Sequence, residues 1–234
     1  MVVEHLGKVS VAAEDCVKVI YAAREWDDVA VTASYLKARL GVGAPAVSEM
    51  VRRLSEQGLV THERYGPVAL TEEGTALALR MLRRHRLVET YLVAELGYRW
   101  DEVHDEAEQL EHVVSDRLLD RMDERLGHPT RDPHGDPIPA ADGTVRRPDA
   151  VPLSTLGVGD VGFVARISDD EPELLRYFTA NEISLDQRIE VLRRRSYAGS
   201  STLLVGAGDA ASELELTDVA AAALWVTRPA AQPA

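Results

Sequence analysis

The stretch His104–His112, HDEAEQLEH, restricts the possible folds of this chain more than any other segment. Placed on an α-helix, His104, Glu108, Glu111 and His112 fall at i, i+4, i+7 and i+8. Residues three and four apart are helix neighbours, so the four line one face. Imidazoles and carboxylates on one stripe suit a divalent first-row metal better than a hydrophobic core. The stripe also reads as a solvated acidic face with two incidental histidines, and the flanking sequence has to separate the two readings.

Two helical periods surround the stretch. Thr75 to Leu96 is rich in leucine and carries His85 and Glu89 four residues apart on one face. Gly97 stops it, and Asp101 opens a helix expected to run to about Leu126, with Val103, Leu110, Val113, Val114, Leu118 and Leu119 beside the His/Glu stripe. Two such helices expose more apolar surface than a small N-terminal domain covers, so a symmetric dimer is expected.

The N-terminal third has its own pattern. A helix over 11–26 is followed by a short one, Val31–Leu40, and the turn Gly41-Val-Gly-Ala44. Pro45 opens a further helix that ends at Gly58. Two short strands, 59–63 and 68–71, follow around Arg64-Tyr-Gly-Pro67. Helix, glycine turn, helix and hairpin is the layout of a winged helix-turn-helix. Small Ala46 and Ser48 beside Pro45 and Glu49 allow close approach to base edges, and Arg52, Arg53 and Arg64 suit phosphates. A winged helix used only for protein contacts is the competing reading.

Residues 127–152, rich in Pro, Gly, Asp and Arg, read as a linker or long loop. Strands are expected at 161–167, 188–193, 201–205, 213–216 and 223–226, with a helix at 172–180, which suggests a small SH3-like barrel. The net charge of −13 argues against nucleic acid. Its distribution removes the objection. Residues 1–99 balance 13 Lys/Arg against 13 Asp/Glu, whereas 100–136 hold 12 acidic and 4 basic residues. A local surface, not the total, decides DNA binding. The single Cys16 excludes an internal disulfide and fits a cytoplasmic protein. The longest apolar run, 219–226, is too short for a bilayer, which takes about 20 residues. A metalloenzyme would need an open coordination position and a base, and no HExxH arrangement is present.

Several segments together resemble one family, the diphtheria-toxin-repressor-like, metal-dependent transcriptional regulators. They are PAVSEMVRRL and GLV, RHRLVETYL at 84–92, VHDEAEQLEHVVSD at 103–116, and the loop from His128-Pro to Asp132-Pro-His-Gly-Asp-Pro-Ile-Pro139. The resemblance covers nearly the whole chain. It implies a mainly α, multi-domain (α+β) protein: a winged-helix DNA-binding domain (1–74), a helical metal-binding and dimerisation domain (75–140), a linker (141–152) and an SH3-like, FeoA-like domain (153–228). It implies a homodimeric repressor on double-stranded operator DNA that controls metal-uptake genes, with no membrane association and no small organic substrate. Position by position, one implied metal site is Asp15, Glu108, Glu111 and His112. A second is His85, Glu89 and His104, completed by Asp169 and Glu171. Iron-sensing members carry Met and Cys where this chain has Asp15 and Glu108; manganese-sensing members carry Asp and Glu. Hard carboxylates favour Mn²⁺, with Fe²⁺ as the alternative.

Overall fold

The computed structural model describes residues 9–27, 29–63 and 66–229. Its chain forms two compact units, the first made of 1–85, 110–115 and 139–144, the second of 86–109, 116–138 and 145–234.

In the first unit, α1 (Val11–Ala22) starts at Ser10, whose hydroxyl accepts the Ala13 N–H. Thr32 caps α2 (Ala33–Leu40) in the same way, and Gly41 ends it in the left-handed region. Pro45 stands in the first turn of α3 (Ala44–Glu56). Gly58, at φ +72°, lets the chain reverse so that the Leu59 N–H reaches Leu54 O at 2.9 Å. A two-stranded hairpin follows, β1 (Val60–His62) and β2 (Val68–Leu70), with His62 opposite Val68. One core joins these pieces: Cys16, Val17 and Ile20 of α1 pack with Leu36 of α2 and Val47, Val51 and Leu54 of α3. Leu77, Ala78 and Met81 from the start of α4 (Glu72–Leu96) complete it.

The second unit begins inside α4 and includes α5 (Val103–Leu110) and α6 (Asp116–Leu126). A six-stranded antiparallel sheet follows, in the order β3 (Ala150–Pro152), β8 (Leu224–Thr227), β4 (Val161–Ile167), β5 (Arg188–Arg195), β6 (Ser200–Val205), β7 (Ser212–Thr217). Leu175 and Phe178 of α7 (Pro172–Ala180) and Ala220 and Ala221 of α8 (Asp218–Ala222) close its core. Most of these elements fall where the periodicity put them, and α7 matches residue for residue; β3 and α8 were not anticipated. Among the described residues, no helix is long and apolar enough to cross a membrane.

Two expectations are corrected. The helix expected from 101 to 126 is broken after Leu110. The N–H groups of Val113 and Val114 both return to Leu110 O, and Arg84 donates to the freed carbonyls of Glu111, at 3.0 Å, and Val114. A guanidinium, with its five fixed donors, can satisfy carbonyls that the break leaves without helix partners. The second correction is to the loop around 127–152, which is not a free linker. Its segment 134–139 is buried. The Ile167 N–H donates to His134 O at 2.8 Å, and Gly135, at φ +95°, lies so close to β4 that a Cβ would come 2.1 Å from Ala165 O. The Asp132 carboxylate accepts the N–H groups of His134 and Asp136 at 2.8 and 2.9 Å.

Candidate metal centres

The first unit gathers Asp15, Glu111 and His112, each offering one ligand atom, with these atoms within 4.8 Å of one another. Asp15 comes from α1, while Glu111 and His112 come from the turn after α5. His112 shows how the group is prepared. Its Nδ1 lies 2.8 Å from Glu14 Oε2, which leaves Nε2 facing Asp15 Oδ1 at 3.0 Å and Glu111 Oε1 at 3.4 Å. A carboxylate on one imidazole nitrogen fixes the ring so that the other can present a lone pair to a metal. Glu14 therefore belongs to the site as a positioning residue. The sequence signal for it, an acid in the first turn of α1, is indistinguishable from a charge favoured by the helix dipole.

Glu111 is fully buried, and both of its oxygens are engaged. Oε1 accepts from Lys18 Nζ at 2.7 Å, and Oε2 lies 2.5 Å from His85 Nδ1. Burial pushes its carboxyl upward, but the hydrogen bonds and charges of His85 and Lys18 outweigh this and hold it below the usual carboxylate range. It stays ionised and able to bind a cation. The neighbouring thiol differs: burial, aided by the Asp15 charge, pushes Cys16 up to about 12. Fully enclosed in the α1–α3 core, Cys16 is no thiolate donor.

The second unit gathers Glu89 of α4, His134 of the buried loop and Asp169, which follows β4. His134 is fully buried and stacks on Trp100 with ring centroids 5.9 Å apart. Its Nε2 lies 2.8 Å from Trp100 O, and its Nδ1, 4.0 Å from Glu89 Oε2, has no hydrogen-bond partner among the described residues. An enclosed ring nitrogen facing carboxylates is what a divalent ion would satisfy. Although burial opposes it, the charges of Asp132, Asp169 and Glu89, with the Trp100 carbonyl, push the His134 imidazole above its usual range. A positive charge is therefore favoured at that point. His104 approaches the same carboxylates, with Nδ1 3.4 Å from Glu89 Oε1 and 3.8 Å from Asp169 Oδ2, and its Nε2 lies 3.7 Å from Glu108. Both groups fit a hard divalent ion: every donor is a carboxylate oxygen or an imidazole nitrogen.

Of the nine residues expected as metal ligands, Asp15, Glu111 and His112 meet in the first unit, where His85 holds Glu111. Glu89, His104, Asp169 and Glu108 lie in the second unit. Glu171 is the N-cap residue of α7 and is not among the grouped donors. Sequence reading missed His134. Its signal was the Pro-His-Gly-Asp-Pro turn, which bends the loop and carries the imidazole, but composition marked the segment as linker.

On α3, Pro45, Ala46 and Ser48 are exposed at the N-terminal end. Glu49 accepts from Arg52 at 2.7 and 2.9 Å and from Arg53 at 2.7 Å, and these guanidiniums hold its carboxyl down at about 2. Arg64 lies outside the described residues.

Comparison with known proteins gives three adjoining family matches. Residues 8–68 match the iron dependent repressor N-terminal DNA binding domain, 71–140 the iron dependent repressor metal binding and dimerisation domain, and 151–228 the FeoA domain. The iron-dependent repressor IdeR of Mycobacterium tuberculosis is 43% identical over 101 residues, 43% of this chain and 44% of that protein. The diphtheria toxin repressor of Corynebacterium diphtheriae is 38% identical over 104 residues, 44% and 46% of the two chains. The chain thus spans about half the length, or less, of the curated relatives it matches. Solved structures match over more of the chain. A manganese-dependent transcriptional repressor in complex with manganese is 52% identical, with TM-score 0.88, covering 93% of this chain and all of the other. The manganese regulator SloR is 32% identical, with TM-score 0.76, covering 93% and 98%.

Proposed function

Because the chain belongs to the iron-dependent repressor family of diphtheria-toxin-repressor-like regulators, we propose that it is a cytoplasmic, homodimeric repressor. On this reading it binds double-stranded operator DNA when it holds Mn²⁺ and so controls metal-uptake genes. The family is one of transcriptional repressors, which removes the metalloenzyme reading. The observation that carries the choice of metal is the donor set: oxygen and nitrogen donors at both groups, with the one thiol shut in a core. Mn²⁺ accepts that set, whereas Fe²⁺, the alternative, gains more from softer ligands.

The domain reading stays as the resemblance implies: winged helix-turn-helix at 1–74, metal-binding and dimerisation helices at 75–140, linker at 141–152 and SH3-like domain at 153–228. We assign Asp15, Glu111 and His112 to one ion and keep Glu108 as a further expected metal ligand. Glu89, His134, Asp169 and His104 take a second ion, with Glu171 as a peripheral contributor, and His85 is kept as a further expected metal ligand. On α3, Pro45, Ala46, Ser48 and Glu49 face base edges, while Arg52, Arg53 and Arg64 meet phosphates.

The coupling runs through α1. Without a divalent ion, the charges of Glu14, Asp15 and Glu111, only partly offset by Lys18, repel one another. A divalent ion draws Asp15 of α1 toward the Glu111–His112 turn. Since Cys16, Val17 and Ile20 of α1 share a core with Val47, Val51 and Leu54, a fixed α1 fixes α3. Metal is then a population-shifting ligand, and its coupling to DNA is reciprocal. Fluorescence anisotropy on promoter DNA tests this: Mn²⁺ should tighten binding and chelator reverse it, and equal affinity in both conditions refutes the mechanism. Activation by Fe²⁺ at lower free concentration than Mn²⁺ refutes the metal assignment alone.

A further inference from the structure

The second unit holds an open cavity of about 330 Å³, and none of its lining residues is a grouped metal donor. Its walls come from separate segments that are each held in place. The loop residues Arg131 and Pro137 pair with each other in an isolated bridge, and Gly135 between them lies against Ala165 O of β4. Opposite them runs Arg146-Arg-Pro148, which leads directly into β3, where Ala150 pairs with Thr227 of β8. A cavity walled by a closed loop and paired strands is formed before any ligand arrives, as small-molecule sites usually are, and its volume is of the size they have.

The charge on the walls is lopsided. The guanidiniums of Arg131, Arg146 and Arg147 line the cavity, and Asp186 is the one carboxylate among the lining residues. Asp186 is already committed. Both of its oxygens accept from the two terminal nitrogens of Arg131, one of them at 2.8 Å, which holds its carboxyl below the usual range. That leaves a surplus of positive charge around the cavity in a chain whose net charge is −13. A guanidinium presents a planar fork of donors that matches the oxygens of a carboxylate or phosphate. Beside the charges, Pro137, Pro148, Val164 and Ala165 offer an apolar surface for a carbon skeleton.

We propose that this cavity is a binding site for a small organic oxyanion, a carboxylate or a phosphate ester, whose charged end lies between Arg131 and Arg146. The site is independent of the metal reading, since it shares no residue with either donor group. The Arg131 side chain is 43% exposed, so the attraction is partly screened and binding should weaken as salt is added. Asp186 competes with the ligand for Arg131 and keeps the affinity modest.

The test titrates ¹⁵N-labelled full-length protein with succinate, with glycerol 3-phosphate and with sodium chloride at equal ionic strength, followed by nuclear magnetic resonance. One of the two organic anions should give saturable shifts at the Gly135 and Ala165 amides and at the Arg131 and Arg146 Nε–H groups, and the tighter of the two identifies the anion as carboxylate or phosphate. Arg146→Gln, a change on an exposed segment, should weaken binding about 5-fold, the worth of one close exposed charge pair. Asp186→Asn should tighten it by a similar factor; asparagine tolerates the left-handed backbone at this position, φ +64°. Shifts that chloride reproduces, or that do not saturate, show screening of surface charge only and overturn the proposal. So do saturable shifts that leave these four residues unmoved, or an affinity that neither variant changes.

Discussion

The two donor groups use the same chemistry but differ in preparation. In the first unit, every grouped carboxylate already faces a histidine or an ammonium of the protein, and Glu111 is held from both sides. In the second, His134 Nδ1 is enclosed without a hydrogen-bond partner among the described residues, and His104 stands half exposed beside Glu89 and Asp169. The first group is a turn and a helix waiting to be tied together, next to the core that carries α3. The second is a pocket built on a buried loop. On the proposed reading the two groups would divide the labour: the first would transmit metal binding to DNA, and the second would hold its own unit in order.

The strongest way to break that division is Asp15→Ala. Operator affinity in saturating Mn²⁺ should fall by more than about 100-fold, beyond the 10- to 100-fold that losing a supporting partner costs. Retained affinity in an anisotropy titration would remove α1 from the switch. Next comes Gly135→Ala. A Cβ 2.1 Å from Ala165 O, at φ +95°, has nowhere to go, so the second unit should lose roughly 2–3 kcal/mol in denaturant unfolding. Metal at the first group should survive that change. His134→Ala should remove one tightly held Mn²⁺ per chain in equilibrium dialysis while lowering operator affinity only about 10-fold. If it matched Asp15→Ala, the ranking of the two groups would be reversed. The smallest effect belongs to Glu14→Gln. It keeps a hydrogen-bond acceptor for His112 Nδ1 but removes the charge, so Mn²⁺ affinity should drop by about 10-fold or less with full occupancy still reached at high metal.

How much of this was readable in advance differs residue by residue. The pairing of His85 and Glu89 with the HDEAEQLEH stretch pointed to metal chemistry, because few stretches put that many ligand atoms at helical spacing. The α3 sequence, with Pro45 at its start and Gly58 after its end, placed a helix and its boundaries from local rules alone. What failed was the continuation of one helix through Glu111 and His112. Nothing local forbids that helix. Where it breaks, Arg84 on α4 donates to the exposed carbonyls of Glu111 and Val114. His134 was passed over for a similar reason: a stretch rich in Pro, Gly and Asp looks like linker, and its burial depends on β4 and Arg86, which donates to Pro137 O at 2.7 Å.

The sequence by itself placed most of the elements and the residue types available as ligands, because these follow from short-range periodicity and side-chain chemistry. Only the tertiary structure decided which donors meet. It brought Asp15 to Glu111 and His112, enclosed Lys18 against the same carboxylate, and turned the Asp132–Pro139 loop into a wall with an imidazole in it. Those choices depend on contacts between residues up to 98 positions apart, as between Glu14 and His112, and on the desolvation of charges that only packing can enforce.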